Sequence, residues 1–349
     1  MTEKNDYYAE NIHLGSDEAS VIILDQTLLP NETVFLELRK ADELFEAIAV
    51  LRVRGAPAIG IFAAYALYVF ARSIAEDHDG SVSFTTEVFK FSKHLCSARP
   101  TAVNLARQLA RMETLMSGMA ESSVQEMLDA MKAEAVKIQH EDIEMCRAIS
   151  EHGLALIRDG DGILTHCNAG PLATSKYGTG LGTILLAQER GVRLRVYCDE
   201  TRPLLQGARL TVYELMKAGV DCTLICDNMA SIVMHEGKID AVFTGCDRVA
   251  RNGDAANKIG TSGAAILAKH YGIPFYVFCP SSTIDRECET GAEIVIEQRP
   301  PYEIASLFFA KPIAPEGVKC YNPAFDVTKA ELITAIITEG GIFRAPYAF

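Results

Sequence analysis

The chain predicts an α/β protein: an open parallel sheet covered by helices, preceded by a smaller, mainly helical domain. Three observations predict it. From about residue 160, short apolar runs alternate with helical segments, the pattern of parallel strands joined by helical crossovers. Before that point, apolar residues recur at helical spacing over long stretches. The length, 349 residues, suits about two domains at roughly 150 residues each. The expected division is residues 1–140, mainly helical with a short β start, and residues 141–349, the sheet domain.

The elements follow in order. Val21-Ile22-Ile23-Leu24 is a β-branched run ending at Asp25, hence a strand. Asp42 is placed to cap a helix reaching Leu51. A longer helix follows Pro57, a residue suited to a first helical turn. Val82–Leu95 and Ala102–Met116 continue the helical spacing. Ser122 to about Ile157 reads as a long helix with one break, joining the two domains. Strands then fall on Gly162–Thr165, Arg195–Cys198, Cys222–Ile225, Asp240–Thr244 and Phe275–Phe278. Helices fall between them on Leu181–Arg190, Ala208–Ala218 and Ser262–Tyr271.

Composition narrows the function classes. The formal charge of -13 gives no general attraction to nucleic acid or an anionic membrane. A phosphate remains a possible ligand, because it needs only a local group of N–H donors and one or two cations. The longest apolar stretch, Ala56–Ala71, holds two tyrosines and runs into Arg72; it predicts a buried helix rather than a membrane span. The start, MTEKNDYYAENIH, lacks the apolar run of a secretory signal. None of the ten cysteines forms a CxxC pair, so a reducing, cytoplasmic setting with no zinc finger is expected.

In open parallel sheets, ligands bind beyond the carboxyl ends of the strands. Residues just after each predicted strand therefore carry the functional reading. They are His166-Cys167-Asn168-Ala169-Gly170, Asp199-Glu200-Thr201-Arg202-Pro203 with the continuation to Arg209, Gly245-Cys246-Asp247-Arg248, and Pro280-Ser281-Ser282-Thr283. Turn formation alone does not call for a thiol, a carboxylate and amides together. Cys167 is one of ten cysteines, and most cysteines are buried filler; its place between His166 and Asn168 after a strand argues otherwise. Asp247 is a candidate acid/base group, with an N-cap or an ion pair to Arg248 or Arg251 as the structural alternative. The structural reading is preferred for Asp254. Asp199 and Glu200 are open between acid/base work and ion pairs with Arg202 or Arg209. Lys258 precedes a helix start, where N–H groups and a cation suit a phosphate. Arg54-Gly55-Ala56-Pro57 and Arg99-Pro100-Thr101 each set an arginine beside a helix start. His13, His78, His94, His140, His152, His235 and His270 have no ligand spacing and receive no role. Nor does a dinucleotide GxGxxG follow the first strand of the sheet. These residues predict a cleft for a small phosphorylated molecule; the reaction does not follow from them.

Six stretches carry a closer resemblance: RGAPAIG (Arg54–Gly60), RPTAVNL (Arg99–Leu105), THCNAG (Thr165–Gly170), DETRPLLQGARLT (Asp199–Thr211), GCDRVARNGDAANKIGT (Gly245–Thr261) and PAFD (Pro323–Asp326). Together they resemble the methylthioribose-1-phosphate isomerase family, which is related to the regulatory subunits of translation initiation factor 2B and to ribose-1,5-bisphosphate isomerase. The resemblance implies a Rossmann-like catalytic domain, a homodimer, and neither metal nor cofactor. It places the catalytic pair on Cys167 and Asp247. It places substrate contacts on Arg54, Gly55, Ala56, Arg99, Gln206, Asn257 and Lys258. Cys246, Pro171 and Ser175-Lys176-Tyr177 depart from the family pattern and bear on the substrate rather than the reaction.

The implied reaction turns an aldose 1-phosphate into a ketose 1-phosphate within methionine salvage. The substituent at C5 is methylthio, with a deoxy sugar or a second phosphate as alternatives. A partly desolvated Asp247 would supply acid/base catalysis. Cys167 would act either as the base at C2 or as a stabiliser of charge during a hydride shift. A non-catalytic ligand sensor is the competing class, and it has no need of both Cys167 and Asp247.

Overall fold

The computed structural model describes residues 11–77, 80–100, 102–347 and 349. His78 and Thr101 of the sequence reading lie outside the described residues. The chain forms two compact units. The first runs up to Glu144 and also takes in Pro171–Lys176; the second comprises Met145–Gly170 and Tyr177–Phe349.

The first unit begins with a three-stranded antiparallel sheet of β1 (Ile12–Leu14), β2 (Val21–Leu24) and β3 (Phe35–Leu38), with β2 central. Only β2 was expected; β1 and β3 are as short, at three and four residues, and lack the β-branched run that marks β2. Helices α1 (Ala41–Ala49), α2 (Ala56–Ile74), α3 (Ser81–Ser97) and α4 (Val103–Ser117) follow, then α5 (Val124–Leu154). Helix α1 starts after Lys40, so Asp42 sits in its first turn rather than at the cap. A carboxylate there still favours the positive helix end. Helix α5 runs unbroken for 31 residues, so the expected interruption is absent. Helix α2 buries thirteen of its nineteen residues, as an all-round apolar helix must. It is long and apolar enough to cross a membrane by composition, yet 72% of that window is enclosed. Phe62 and Ile59 of α2, Phe84 and Val88 of α3, Leu105 and Leu109 of α4, and Met127 and Met131 of α5 build one core with Val21 and Ile23.

The second unit is built on a seven-stranded sheet. Its strands are β4 (Gly162–His166), β5 (Arg195–Asp199), β6 (Asp221–Ile225), β7 (Ala241–Thr244), β10 (Phe275–Phe278), β13 (Ala335–Thr338) and β14 (Gly341–Phe343), in the order β14-β13-β10-β7-β4-β5-β6. All neighbours are parallel except β13 and β14. Numbered along the chain, the six parallel strands lie 3-2-1-4-5-6, the doubly wound order. Strands β4, β7 and β10 are buried at every position, as strands covered on both faces are. Strand β6 lies at the edge and is largely exposed. Helices α6 (Gly182–Glu189), α7 (Val212–Lys217), α8 (Ala230–His235) and α9 (Thr261–Tyr271) follow β4, β5, β6 and β7.

A second, four-stranded sheet was not expected. It orders β11 (Ile284–Asp285), β8 (Arg248–Ala250), β9 (Ala255–Lys258) and β12 (Phe325–Thr328) as β11-β8-β9-β12. Its strands are two to four residues long and rich in alanine and polar residues, so they read as loop. Its pairing joins segments far apart in sequence, with Lys258 opposite Phe325. A short helix, α10 (Tyr302–Ala305), completes the unit.

Candidate active site

The chain runs from β4 outward through β5 to β6, then returns to the other side of β4 to form β7. The strand order therefore reverses between β4 and β7, and such a switch point opens a crevice at the carboxyl ends of the strands. Cys167 follows β4 directly, and Asp247 lies three residues beyond the end of β7. The two loops touch. A Cβ built on Gly245 would sit 2.6 Å from Cβ of Ala169, so any larger residue at 245 would force the loops apart. Parallel pairing sends the loops after β5 and β10 to the same edge.

Cys167 is buried and adopts φ +66°, a left-handed conformation that costs energy for any residue with a side chain. Both its peptide groups are held. Its N–H donates to Thr201 Oγ1 at 2.8 Å, and its carbonyl accepts from Thr211 Oγ1 at 2.6 Å. Thr211 closes a π-helical turn, Gly207–Thr211, that leads into α7; such turns are frequent at functional positions. Gln206 opens that turn. It is buried, and its Oε1 has no hydrogen-bond partner among the described residues. Asn168, which follows Cys167, donates its Nδ2 to Glu214, a carboxylate buried on α7.

Asp247 is exposed, which corrects the expectation of partial desolvation: three residues past β7 it has left the buried sheet. Its backbone N–H donates to Ala256. The arginines considered as its partners are engaged elsewhere, Arg248 with Asp285 and Arg251 with Glu289. Asp254 is structural as expected, but its partners are Lys329 Nζ and the N–H groups of Ala330 and Gly291.

Asn257 and Lys258 lie on β9. Asn257 Nδ2 donates to Thr261 Oγ1, and Lys258 Nζ rests 4.3 Å from the centre of the Phe325 ring, a favourable cation–π position. The start of α9 is less open than expected. The Asp326 carboxylate accepts from Gly260 N–H at 2.8 Å and Ser262 N–H at 3.0 Å, so two of its donors are already taken. Antiparallel pairing of β9 with β12 puts Asp326 there, and the sequence spacing could not show it.

Asp199 does not pair with Arg202 or Arg209. Its Oδ2 lies 2.8 Å from Nδ1 of His166, both side chains being almost fully buried. Nε2 of His166 donates to the carbonyl of Ile259 at 2.8 Å. Arg202 instead donates to Ile304 O and lies over Phe309, while Arg209 lies over Phe308. Burial alone would lower the pKa of His166. The hydrogen bond and charge of Asp199, and then the charge of Asp227, outweigh it and raise the net value. Burial pushes the Asp199 carboxyl up, which alone would favour a neutral pair. A ring flanked by Asp199, Asp227 and Asp326 favours imidazolium facing carboxylate. His166, Asp199 and Asp227 have metal-ligand side chains with atoms within 4.8 Å. Most of their polar atoms are engaged: both ring nitrogens have partners and the Asp227 oxygens accept from Thr201 and Arg202 N–H, while Asp199 Oδ1 is buried with no hydrogen-bond partner among the described residues. The cluster is a pinned ion-pair network.

In the first unit, Gly55 precedes α2 with φ +96°. A Cβ there would lie 2.5 Å from Cα of Ala173, so the close approach of the chain itself requires glycine. Arg54 and Ala56 flank it, half-buried, and Arg99 precedes α4, also half-buried. The segment Pro171–Lys176, which continues the chain after Gly170, is pinned in this unit. Asn11 Nδ2 donates to Pro171 O, Gln26 Nε2 donates to Leu172 O, and Ser175 N–H donates to Asp142. A cleft of about 550 Å³ near Arg286, Glu339 and Tyr347 takes in Ser281 of the loop after β10, but neither Cys167, Asp247 nor any of the substrate contacts that the resemblance implies.

Sequence reasoning placed His166 and Thr201 in the candidate loops without giving either a role, and gave none to Thr211 or Asp227. The thread to His166 was the alternation of a strand, which turns consecutive side chains to opposite faces. It needed the β4–β5 register, which pairs Thr165 with Cys198 and so sets His166 beside Asp199.

With this geometry, the comparisons with known proteins become specific. The sequence matches the Initiation factor 2 subunit family over residues 52–345. The chain belongs to that family. It is 59% identical to a methylthioribose-1-phosphate isomerase of Symbiobacterium thermophilum, over 97% of this chain and 94% of that protein. It is 54% identical to a 5-deoxyribose 1-phosphate isomerase of Petrotoga mobilis, over 96% of each. Among solved structures, the 5-methylthioribose 1-phosphate isomerase of Pyrococcus horikoshii OT3 superposes with a TM-score of 0.91 at 40% identity, over 97% of this chain and 93% of that one. The α/β fold with its parallel sheet and helical N-terminal region is the fold of this Initiation factor 2 subunit family member.

Proposed function

We propose that this chain is an aldose–ketose isomerase that converts 5-methylthioribose 1-phosphate into 5-methylthioribulose 1-phosphate, a step of methionine salvage. The observation that carries the reading is the placement of Cys167 and Asp247 on touching loops at the switch point of the sheet. The 59% identity to a protein of that name supports the substrate. The 54% identity to a 5-deoxyribose 1-phosphate isomerase favours one alternative, a sugar without the methylthio group.

The chemistry follows from the substrate. A phosphate on C1 blocks spontaneous opening to the aldehyde, so the ring oxygen must be protonated as the ring opens. A hydrogen then moves from C2 to C1. Exposed Asp247 is assigned the proton exchange at oxygen, with placement rather than burial as its qualification. Cys167 either removes the C2 proton as a thiolate or stabilises charge during a hydride shift. Arg54, Gly55, Ala56, Arg99, Gln206, Asn257 and Lys258 are assigned to substrate binding. The unpartnered Oε1 of buried Gln206 supports its place among them, since a buried polar atom needs a hydrogen-bond partner.

The test is ketose formation from 5-methylthioribose 1-phosphate, 5-deoxyribose 1-phosphate and ribose 1,5-bisphosphate by wild type, Cys167→Ala and Asp247→Asn. Activity in wild type and its loss in both variants is the expected result. Full activity in both variants would overturn the assignment, and no activity in wild type on any of the three would favour a ligand sensor. Turnover in deuterated water separates the two routes, because a pure hydride shift leaves no solvent deuterium at C1. The proposal extends to a cytoplasmic homodimer without nucleic-acid or membrane partners. The charge of -13 and ten free thiols support its chemistry, and sedimentation of the purified protein tests the dimer.

A further inference from the structure

We infer that Thr201 and Thr211 are positioning residues that clamp the Cys167 peptide in its left-handed conformation and so aim the thiol. The inference rests on the role proposed for Cys167, and it goes beyond it by naming what holds that residue in place.

A left-handed cysteine persists only if its surroundings over-determine it. Here both neighbouring peptide groups are gripped by hydroxyls on fully buried threonines. Thr201 Oγ1 donates to the carbonyl of Asp199 at 3.1 Å. Its proton is therefore committed, and it meets the Cys167 N–H with a lone pair at 2.8 Å. Thr211 Oγ1 has the opposite polarity. It donates to the Cys167 carbonyl at 2.6 Å and accepts from Asn168 Nδ2 at 3.2 Å. One hydroxyl thus holds the donor of the strained residue and the other its acceptor.

The clamp is itself anchored. Thr201 is also left-handed, at φ +64°. The Asp227 carboxylate fixes it by accepting the N–H groups of Thr201 and Arg202, both at 2.7 Å. Thr211 sits at the end of the π-helical turn. A regular helix there would carry its hydroxyl elsewhere around the axis, so the π turn and the clamp are one construction. Removing either hydroxyl takes away one of the two hydrogen bonds that hold the Cys167 peptide groups and lets φ of Cys167 relax towards negative values. Such a rotation swings Cβ, and with it the sulfur. A displacement of about 1 Å in a reacting group costs on the order of 10²-fold in rate.

The experiment compares Thr201→Val and Thr211→Val with Thr201→Ser and Thr211→Ser in the full-length chain. Valine keeps the branched shape without the hydroxyl, and serine keeps the hydroxyl. We expect the valine variants to lose on the order of 10²-fold in kcat with KM within about threefold, and the serine variants to recover most of it. Alkylation of Cys167 by iodoacetamide, quantified on its own peptide, is expected to change rate in the valine variants alone. Folded valine variants with wild-type kcat and alkylation would overturn the inference. So would a loss that serine fails to restore. If wild type turns over none of the three sugar phosphates, the functional reading fails, while the alkylation comparison still decides whether the clamp aims the thiol. If a valine variant does not fold, its serine counterpart and the other threonine pair carry the same comparison.

Discussion

Replacing Asp142 by asparagine should make the stability of the protein less dependent on pH. Asp142 is buried and accepts the N–H of Ser175 at 2.9 Å, pinning the segment that continues from the Cys167 loop. Burial dominates its ionisation: it pushes the carboxyl up from the ordinary value of 3.8 to about 7, against the hydrogen bonds from Ser175. A folded-state value above the unfolded one means that the fold binds the proton more tightly. Its contribution is fully present below pH 3.8 and is lost as the pH rises through about 7. At 1.36 kcal/mol per unit the whole effect is roughly 4 kcal/mol, of which roughly 2–3 kcal/mol falls between about pH 5 and 8. Asparagine resembles the protonated form and still offers an oxygen to Ser175 N–H. Urea unfolding of wild type and Asp142→Asn at pH 5 and pH 8 measures the difference. The wild type should lose roughly 2–3 kcal/mol more than the variant over that interval. Parallel pH dependence in the two proteins would refute burial as the controlling cause.

Three further outcomes follow from the same contacts. Gly55→Ala places a Cβ 2.5 Å from the backbone of Ala173 at φ +96°; the strain and overpacking together should cost roughly 2–5 kcal/mol, read by urea unfolding. His166→Gln leaves Asp199 buried without its cation and should destabilise by about 3–5 kcal/mol at pH 6. Because the folded His166 value is raised above 6.5, that difference should shrink as the pH rises through the raised value; an unchanged difference at pH 9 would count against the charged pair. Asp326→Asn keeps one acceptor for the two N–H groups at the start of α9 and should cost about 1 kcal/mol, measured by the same titration.

Much of the second unit was legible in the sequence because its signals are local. Five strands of the large sheet announce themselves as apolar runs, and the helices between them keep helical spacing. The rule that ligands meet parallel strands at their carboxyl ends then picked out the loops that hold Cys167 and Asp247, and the family resemblance named the pair. The small sheet stayed hidden because its pairing is long-range: β9 meets β12 across more than sixty residues. Glu200 and Arg202 showed the limit of sequence-neighbour reasoning. Short separation suggested an ion pair around Asp199, whereas the fold gave that carboxylate a histidine from the adjacent strand.

Local pattern alone determined the α/β class, the buried character of α2, and the loops that carry the thiol and the carboxylate, since periodicity and turn chemistry act over a few residues. Tertiary structure alone decided which strands adjoin, and with them the switch point between β4 and β7. It also decided the left-handed setting of Cys167, because that conformation is unfavourable in isolation and exists only where Thr201, just past β5, and Thr211, at the end of the π-helical turn, hold both its peptide groups.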